Sequence, residues 1–304
     1  MHKSLQLTKA VAGLQHNIQY FGQFVKHFLC DTKLFKSAGR SLLFAKMLCS
    51  VALAGFEDLD YGARGVGLAG AVSAAALGAE SFGYNPAGLL VDPAGMQAVV
   101  SYAHPFEFNE LTLGQVAMVY GRNNRAVGGG LLHFGNALYG EHQFCAGAAV
   151  RLPRLLTVGV AGRYGNLSIR NYGQSSALMV DLGLRAELSR LVSWGAAVKN
   201  INGAVIGRER EPLPQIFSVG LAVRPRDELQ LLFDFNKDIR FRLDLRCGLV
   251  YQPLKTLSLR AGVADQPRRF ALGLSVHVRR LRFDYAYLRH LELGDTHMAA
   301  IGVE

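Results

Sequence analysis

The residues with types and spacing suited to chemistry are few, and they do not converge. Gly65-Val66-Gly67-Leu68-Ala69-Gly70 carries the G-x-G-x-x-G spacing that lets a backbone turn approach a dinucleotide pyrophosphate. That turn needs a buried strand before it and a βαβ unit after it. Here a leader-like segment precedes it and alternating strands follow, so no nucleotide cofactor is expected. His104, His133, His142, His277, His290 and His297 lack an H-x-x-x-H pair or a carboxylate at ligand spacing, and no C-x-x-C occurs, so no metal site is expected. Ser81, Ser101 and Ser175-Ser176 sit in no G-x-S-x-G elbow, which leaves no activated nucleophile for a hydrolase. The chain reads as a non-enzyme.

The remaining polar chemistry is charge set at alternate positions within apolar segments. Arg163, Asp181, Arg185, Lys199, Asp234, Arg242, Asp244, Arg246, Arg260, Arg282 and Asp284 are placed this way, seven basic residues to four acidic ones. A period of two puts them on one face of a strand and the large apolar side chains on the other. One consequence would be a lumen that weakly favours anions. The spacing favours another: Asp234 pairs with Arg242 or Arg246, and Asp284 with Arg260 or Arg282, so that neighbouring strands fill an interior with ion pairs.

The elements that must position these charges are strands. Phe270, Leu272, Leu274, Val276 and Val278 share one face, opposite Ala271, Gly273, Ser275 and His277. Leu281, Phe283, Tyr285 and Tyr287 follow after the basic turn at Arg279-Arg280. The same alternation runs through Leu178–Leu184, Val192–Val198, Phe217–Val223, Leu229–Phe235, Phe241–Leu249 and Leu257–Val263, separated by Pro225, Asn236-Lys237-Asp238, Gln252-Pro253 and Asp265-Gln266-Pro267. Weaker strands are expected over 97–104, 110–121, 125–135, 142–151 and 155–164, with Gly128-Gly129-Gly130 leaving the register open. The polar face is mostly Gly, Ala and Ser with an occasional charge, not the Lys, Glu and Thr of a water-facing sheet. About fourteen strands result, an even number suited to an all-β, antiparallel transmembrane β-barrel whose closure satisfies every edge. A soluble, secreted β-sandwich used in adhesion is the alternative, and would require the Leu and Phe faces to meet across two sheets.

Composition agrees with a barrel. Half of the 304 residues are hydrophobic, 18% are charged and 34 are Gly, yet no apolar run of about 18 residues could cross a bilayer as a helix. The net charge of +10 invites a nucleic-acid reading, but seven of the 33 basic residues and one of the 23 acidic ones precede residue 55. The remainder carries no polyanion signature, and no nucleic acid is expected as a partner. Residues 33–54 read as a secretory signal: Lys33, Lys36 and Arg40, an apolar stretch, then Ala52-Leu53-Ala54. Lys46 interrupts that stretch, which is the argument for a buried amphipathic helix instead. Cys49 lacks the small residues that precede a lipidated cysteine, and Cys145 and Cys247 fall on opposite strand faces, so no disulfide is expected between them.

Between the leader and the first strand, Gly62-Ala63-Arg64-Gly65-Val66-Gly67-Leu68-Ala69-Gly70 leads through Glu80-Ser81-Phe82 to Asn85-Pro86-Ala87-Gly88-Leu89. This order resembles the N-terminal segment of the FadL/PorV-like outer-membrane barrels. Asp284-Tyr285-Ala286-Tyr287 with Leu293-Gly294-Asp295-Thr296-His297, and Asn200 after Val198-Lys199, resemble the PorV-like branch. Residues 1–32 are an N-terminal extension with no counterpart in that family; after the leader over 33–54, the resemblance implies a plug or hatch over 55–96 inside the outer-membrane barrel over 97–304. Its plug motif maps to Gly65, Gly67, Gly70, Asn85, Pro86, Gly88 and Leu89, for which compact packing is reason enough without a ligand. Met298 after His297 and the final Glu304 depart from the family pattern, which leaves open whether the last strand is truncated. The expected function is that of a PorV-like scaffold or shuttle in protein secretion. FadL-like passage of hydrophobic molecules such as long-chain fatty acids is the alternative. The expected partners are outer-membrane lipid, a hydrophobic ligand or secreted cargo, and the barrel-insertion machinery.

Overall fold

The computed structural model describes residues 55–91, 95–153 and 156–304; the expected extension and leader lie outside them. Fourteen strands close into one antiparallel barrel in which each strand pairs with its neighbours in sequence, and the last pairs with the first. They are β1 (Met96–His104), β2 (Thr112–Arg122), β3 (Arg125–Gly135), β4 (Tyr139–Arg151), β5 (Leu156–Ile169), β6 (Gly173–Glu187) and β7 (Val192–Lys199). The second half comprises β10 (Ile216–Arg226), β11 (Leu229–Asp238), β12 (Asp244–Leu254), β13 (Leu257–Ala264), β14 (Arg269–Val278), β15 (Leu281–His290) and β16 (Gly294–Val303). Two short strands, β8 (Val205–Ile206) and β9 (Glu211–Pro212), form a hairpin of their own inside the connection between β7 and β10.

The alternation decides which face points where. Leu178, Phe235, Leu272 and Phe283 are 61%, 53%, 53% and 45% exposed on the outside, while Asp181, Asp234, Ala271 and Asp284 are buried inside. Apolar side chains held out of the core in this way exclude the sandwich, whose large residues would meet across two sheets. Aqueous exposure would cost about 25 cal/mol for each Å² of that apolar surface, so the exterior requires a lipid solvent. Most strands match the roughly 9–11 residues that a tilted strand needs to cross hydrocarbon. Tyrosines lie towards both ends of the band: Tyr102 near one, Tyr120 and Tyr251 near the other, all exposed on the outer face. Cys145 is buried and Cys247 exposed, so the two thiols stay apart on opposite faces.

Two expectations are corrected, the start of β12 and the open register of the glycine run. β12 starts at Asp244, not Phe241, because Asp238 turns the chain by accepting from the amides of Arg240 and Phe241. β16 pairs with β15 from Gly294 to Val303 and with β1 from His297 to Val303, so the ladder closes. Gly128-Gly129-Gly130 does not loosen the register, since Gly128 faces Val119 and Gly147, and Gly130 faces Ala117 and Cys145.

The two ends of the barrel differ. One carries the longer connections, 105–111, 200–215, 239–243 and 265–268. The other has tight turns at 123–124, 227–228, 255–256 and 279–280, together with the start of β1 and the end of β16.

Residues 55–91 lie inside the barrel, and most are buried. They contain one helical turn, α1 (Ala63–Val66), and two 3-10 turns, Gly78–Gly83 and Pro86–Leu89. Their path explains the small residues of the lumen face. Gly159 and Gly183 face each other on β5 and β6; a Cβ on Gly159 would strike the backbone of Pro86 and Ala87, and one on Gly183 the Asn85 side chain and the Ala87 amide. A Cβ on Gly262 of β13 would strike Leu68 in the same way. The wall is thin where the inner segment runs against it.

Candidate functional site

The inner segment is held by side chains from around the barrel, in three groups. Towards the long-connection end, Asp58 and Asp60 face a basic cluster: Lys199 Nζ lies 2.6 Å from Asp58, and Arg269 lies 3.0 Å from Asp60. Arg246 approaches Asp58 at 3.6 Å while holding Asp244 at 2.6 Å. At mid-barrel, Asp234 accepts from the amides of Val72 at 2.9 Å and Ser73 at 2.7 Å. Arg185 donates to the Ala74 carbonyl at 3.0 Å and pairs with Glu187. Towards the tight-turn end the fully buried Glu80 binds Arg64 at 2.6 Å and Arg282 at 3.2 Å. Arg282 also holds Asp284 at 2.8 Å and reaches Glu304, and Arg260 joins through Ser275. Charges taken from water at several kcal/mol each are tolerable only in such paired sets.

The expected motif residues all face this packing. Gly65 lies under the Tyr84 ring, and Gly67 packs so close to Gly273 that a Cβ on it would stand 3.0 Å from the Gly273 Cα. Gly70 has φ +78, and its carbonyl accepts from Arg246. Asn85 caps the Pro86–Leu89 turn by accepting from the Ala87 amide at 3.0 Å, and donates to the carbonyls of Ser73 and Leu184. Gly88 sits against Ser81 and the Ala75 carbonyl, and Leu89 is buried.

Of the eleven expected lumen charges, Arg242 is not in the lumen: it is exposed in the β11–β12 connection. The expected pairing of Asp234 with an arginine is also corrected, because both of its hydrogen bonds come from the inner segment's backbone. Asp284 does pair with Arg282, and Arg163 pairs with Asp181 at 2.6 Å. Asp58, Asp60, Arg64, Glu80, Arg269 and Glu141 were missed. Parity would have found two of them, because Arg269 is in step with Ala271 and Ser275, and Glu141 with Gln143 and Cys145.

Asn200 organises the longest connection. It adopts φ 53, its Oδ1 accepts from Ala204, and its Nδ2 donates to the carbonyls of Leu213 and Pro214.

Beneath the long connections lies a cavity of about 70 Å³. Its apolar wall is Val66, Leu113, Leu288 and Met298; Pro105, Phe106 and Leu293 cover it; Asp60, Arg269 and His290 edge it. Phe106 is held by its amide donating to Thr296 Oγ1 at 3.0 Å and by edge-on contact with His290. Phe106 and Glu107 sit at φ 60 and 59, a left-handed conformation that bulky residues adopt only at a cost of about 1–3 kcal/mol. Nearby, burial pushes the Glu57 carboxyl up to about 8, against the lowering effect of Arg240 at 3.3 Å.

No protein-family model matches this chain, and no curated protein matches it. Solved structures do. The toluene transporter TbuX of Ralstonia pickettii is 14% identical with a TM-score of 0.59, the match covering 81% of this chain and 98% of that one. A TodX monoaromatic hydrocarbon channel lacking S2 and S3 is 14% identical with a TM-score of 0.63, over 81% and 98%. A FadL homologue of Pseudomonas aeruginosa is 13% identical with a TM-score of 0.55, over 80% and 97%. These neighbours share the closed barrel along nearly their whole length, and none is described as a secretion protein. The fold is that of the FadL-like outer-membrane barrels, and the apolar exterior calls for a membrane around it.

Proposed function

We propose that this FadL-type barrel admits small hydrophobic molecules from outside, and that residues 55–91 are the plug that must shift to let them through. The observation that carries this reading is the apolar cavity beneath Phe106 at the mouth with the longer connections, which bacterial barrels turn outward. A cavity of about 70 Å³ is smaller than the roughly 150 Å³ pocket that holds benzene in an engineered protein. Entry therefore requires the strained Phe106 connection to move, and the plug beneath it to follow. The plug's charged contacts keep water and ions from leaking past in the closed state, while the apolar wall gives a hydrocarbon a favourable first stop.

The test is uptake of labelled toluene by a bacterial host without hydrocarbon channels, expressing the full chain or its Leu288→Asp variant. Uptake well above the empty host, lost in the variant while the barrel still folds, supports the reading. Uptake equal to the empty host sinks it.

A second reading, a scaffold or shuttle for secreted protein, keeps one observation in its favour: the Asp284–Tyr287 and Leu293–His297 patterns that resemble the PorV-like branch. Cross-linking from Glu209 in the longest connection to secreted proteins of the native host would distinguish it.

A further inference from the structure

The charge of the barrel is divided unequally between its ends. At the long-connection end acids and bases alternate, as in Arg208-Glu209-Arg210-Glu211, and Asp238 answers Arg240. The tight turns are different: Arg122-Asn123-Asn124-Arg125, Arg190, Arg224-Pro225-Arg226 and Arg279-Arg280 are all exposed, with Asp227 and Glu228 as the local counterweight and with Glu187 and Glu304 already engaged by Arg185 and Arg282. Among the described residues no ion pair engages Arg122, Arg125, Arg190, Arg226, Arg279 or Arg280, whereas Arg64, Arg163, Arg185, Arg246, Arg269 and Arg282 inside the barrel are all paired.

Their depth is set by their neighbours. Val278 and Leu281, 51% and 43% exposed, bracket Arg279-Arg280, and Leu188 and Leu191, 64% and 55% exposed, bracket Ser189-Arg190. Those apolar side chains are the last of the lipid-facing band, so each guanidinium stands one or two residues beyond the hydrocarbon, at headgroup level. Short turns mark the periplasmic side of bacterial barrels.

We propose that this basic ring binds the anionic headgroups of phospholipids in the periplasmic leaflet. The guanidinium fork matches phosphate oxygens with paired hydrogen bonds, and a cation beside an anionic membrane surface gains roughly a five-fold preference per residue. The ring orders a shell of phosphatidylglycerol-type lipid around the barrel's inner rim.

Trp194 reads that shell directly. It is the chain's single tryptophan, on the outer face of β7, where it pairs with Leu221 of β10 close to Arg190, Arg224 and Arg226. The full chain would be reconstituted into phosphatidylcholine vesicles containing equal small fractions of brominated phosphatidylglycerol or brominated phosphatidylcholine, and Trp194 quenching compared. The expected result is several-fold stronger quenching by the anionic lipid, falling as salt shortens the Debye length. It should be abolished in Arg190→Gln/Arg224→Gln/Arg226→Gln and retained in Arg208→Gln/Arg210→Gln/Arg242→Gln, which loses as many charges at the opposite end. Equal quenching by the two lipids in the unmodified protein overturns the proposal, as does a preference that survives the triple substitution. If inorganic phosphate erases the preference where chloride of equal ionic strength does not, the ring is a site for free phosphate, and the lipid assignment fails.

Discussion

At Glu57 burial and pairing pull in opposite directions, and burial wins: the carboxyl titrates at about 8 although Arg240 lies beside it. The sign of the consequence follows from proton counting. The folded chain keeps a proton that the unfolded chain releases from about pH 4.5, so stability declines as the pH rises from there to about 8 and then levels. The unfolding midpoint on heating should fall between pH 5 and pH 9, and Glu57→Gln should flatten that fall while leaving pH 5 unchanged; an identical profile in both proteins would refute the assignment. Asp234 serves as an acceptor for the inner segment, taking the amides of Val72 and Ser73. Asp234→Ala leaves the Val72 and Ser73 amides buried without a partner, at about 1–3 kcal/mol each. The inner segment should loosen, seen as faster protease cleavage near Ser73 and as sugar-driven swelling of liposomes that the unmodified protein keeps tight.

Among the elements, the contact between the Pro86–Leu89 turn and strands β5 and β6 tolerates little added volume. Gly183→Val puts a branched side chain where Asn85 Oδ1 and the Ala87 amide now lie. Overpacking of this kind costs about 1–3 kcal/mol. The barrel's own ladders have no such clash to absorb, so the turn should move and the strands stay: near-normal barrel assembly with raised solute leakage is expected, and loss of the folded barrel itself would contradict it. The strands were legible in the sequence because lipid outside and packed protein inside impose a strict period of two. The alternation could not announce where a strand stops, which is why Phe241-Arg242 read as strand: Leu243 and Leu245 continue the pattern through a turn that Asp238 makes with backbone hydrogen bonds. The partners of Asp234 were illegible for a related reason. They are main-chain amides more than 160 positions away, and no side-chain spacing records them. Small lumen residues gave the opposite lesson. They pointed to a crowded interior, and the backbone of residues 55–91 is the crowd.

For the whole molecule, closure, orientation and charge form one argument. A lipid-immersed sheet cannot leave an edge, since each unpaired backbone group would cost several kcal/mol in hydrocarbon, and the pairing of β1 with β16 removes the last one. A closed ladder of this kind resists detergent until heated, so unheated protein from outer membranes should migrate differently from boiled protein on a gel. Orientation then follows from the connections, with 200–215 outside and 255–256 inside. Glu209 and Thr256 are exposed at opposite ends, and the barrel's own cysteines offer little background, Cys145 being buried and Cys247 facing lipid. In intact cells a membrane-impermeant maleimide should label Glu209→Cys and spare Thr256→Cys, while broken cells should label both. The reverse pattern would turn the barrel over: the cavity beneath Phe106 would then open to the periplasm, and the arginine ring would face the outer leaflet, so this labelling tests the direction of uptake and the lipid partner together.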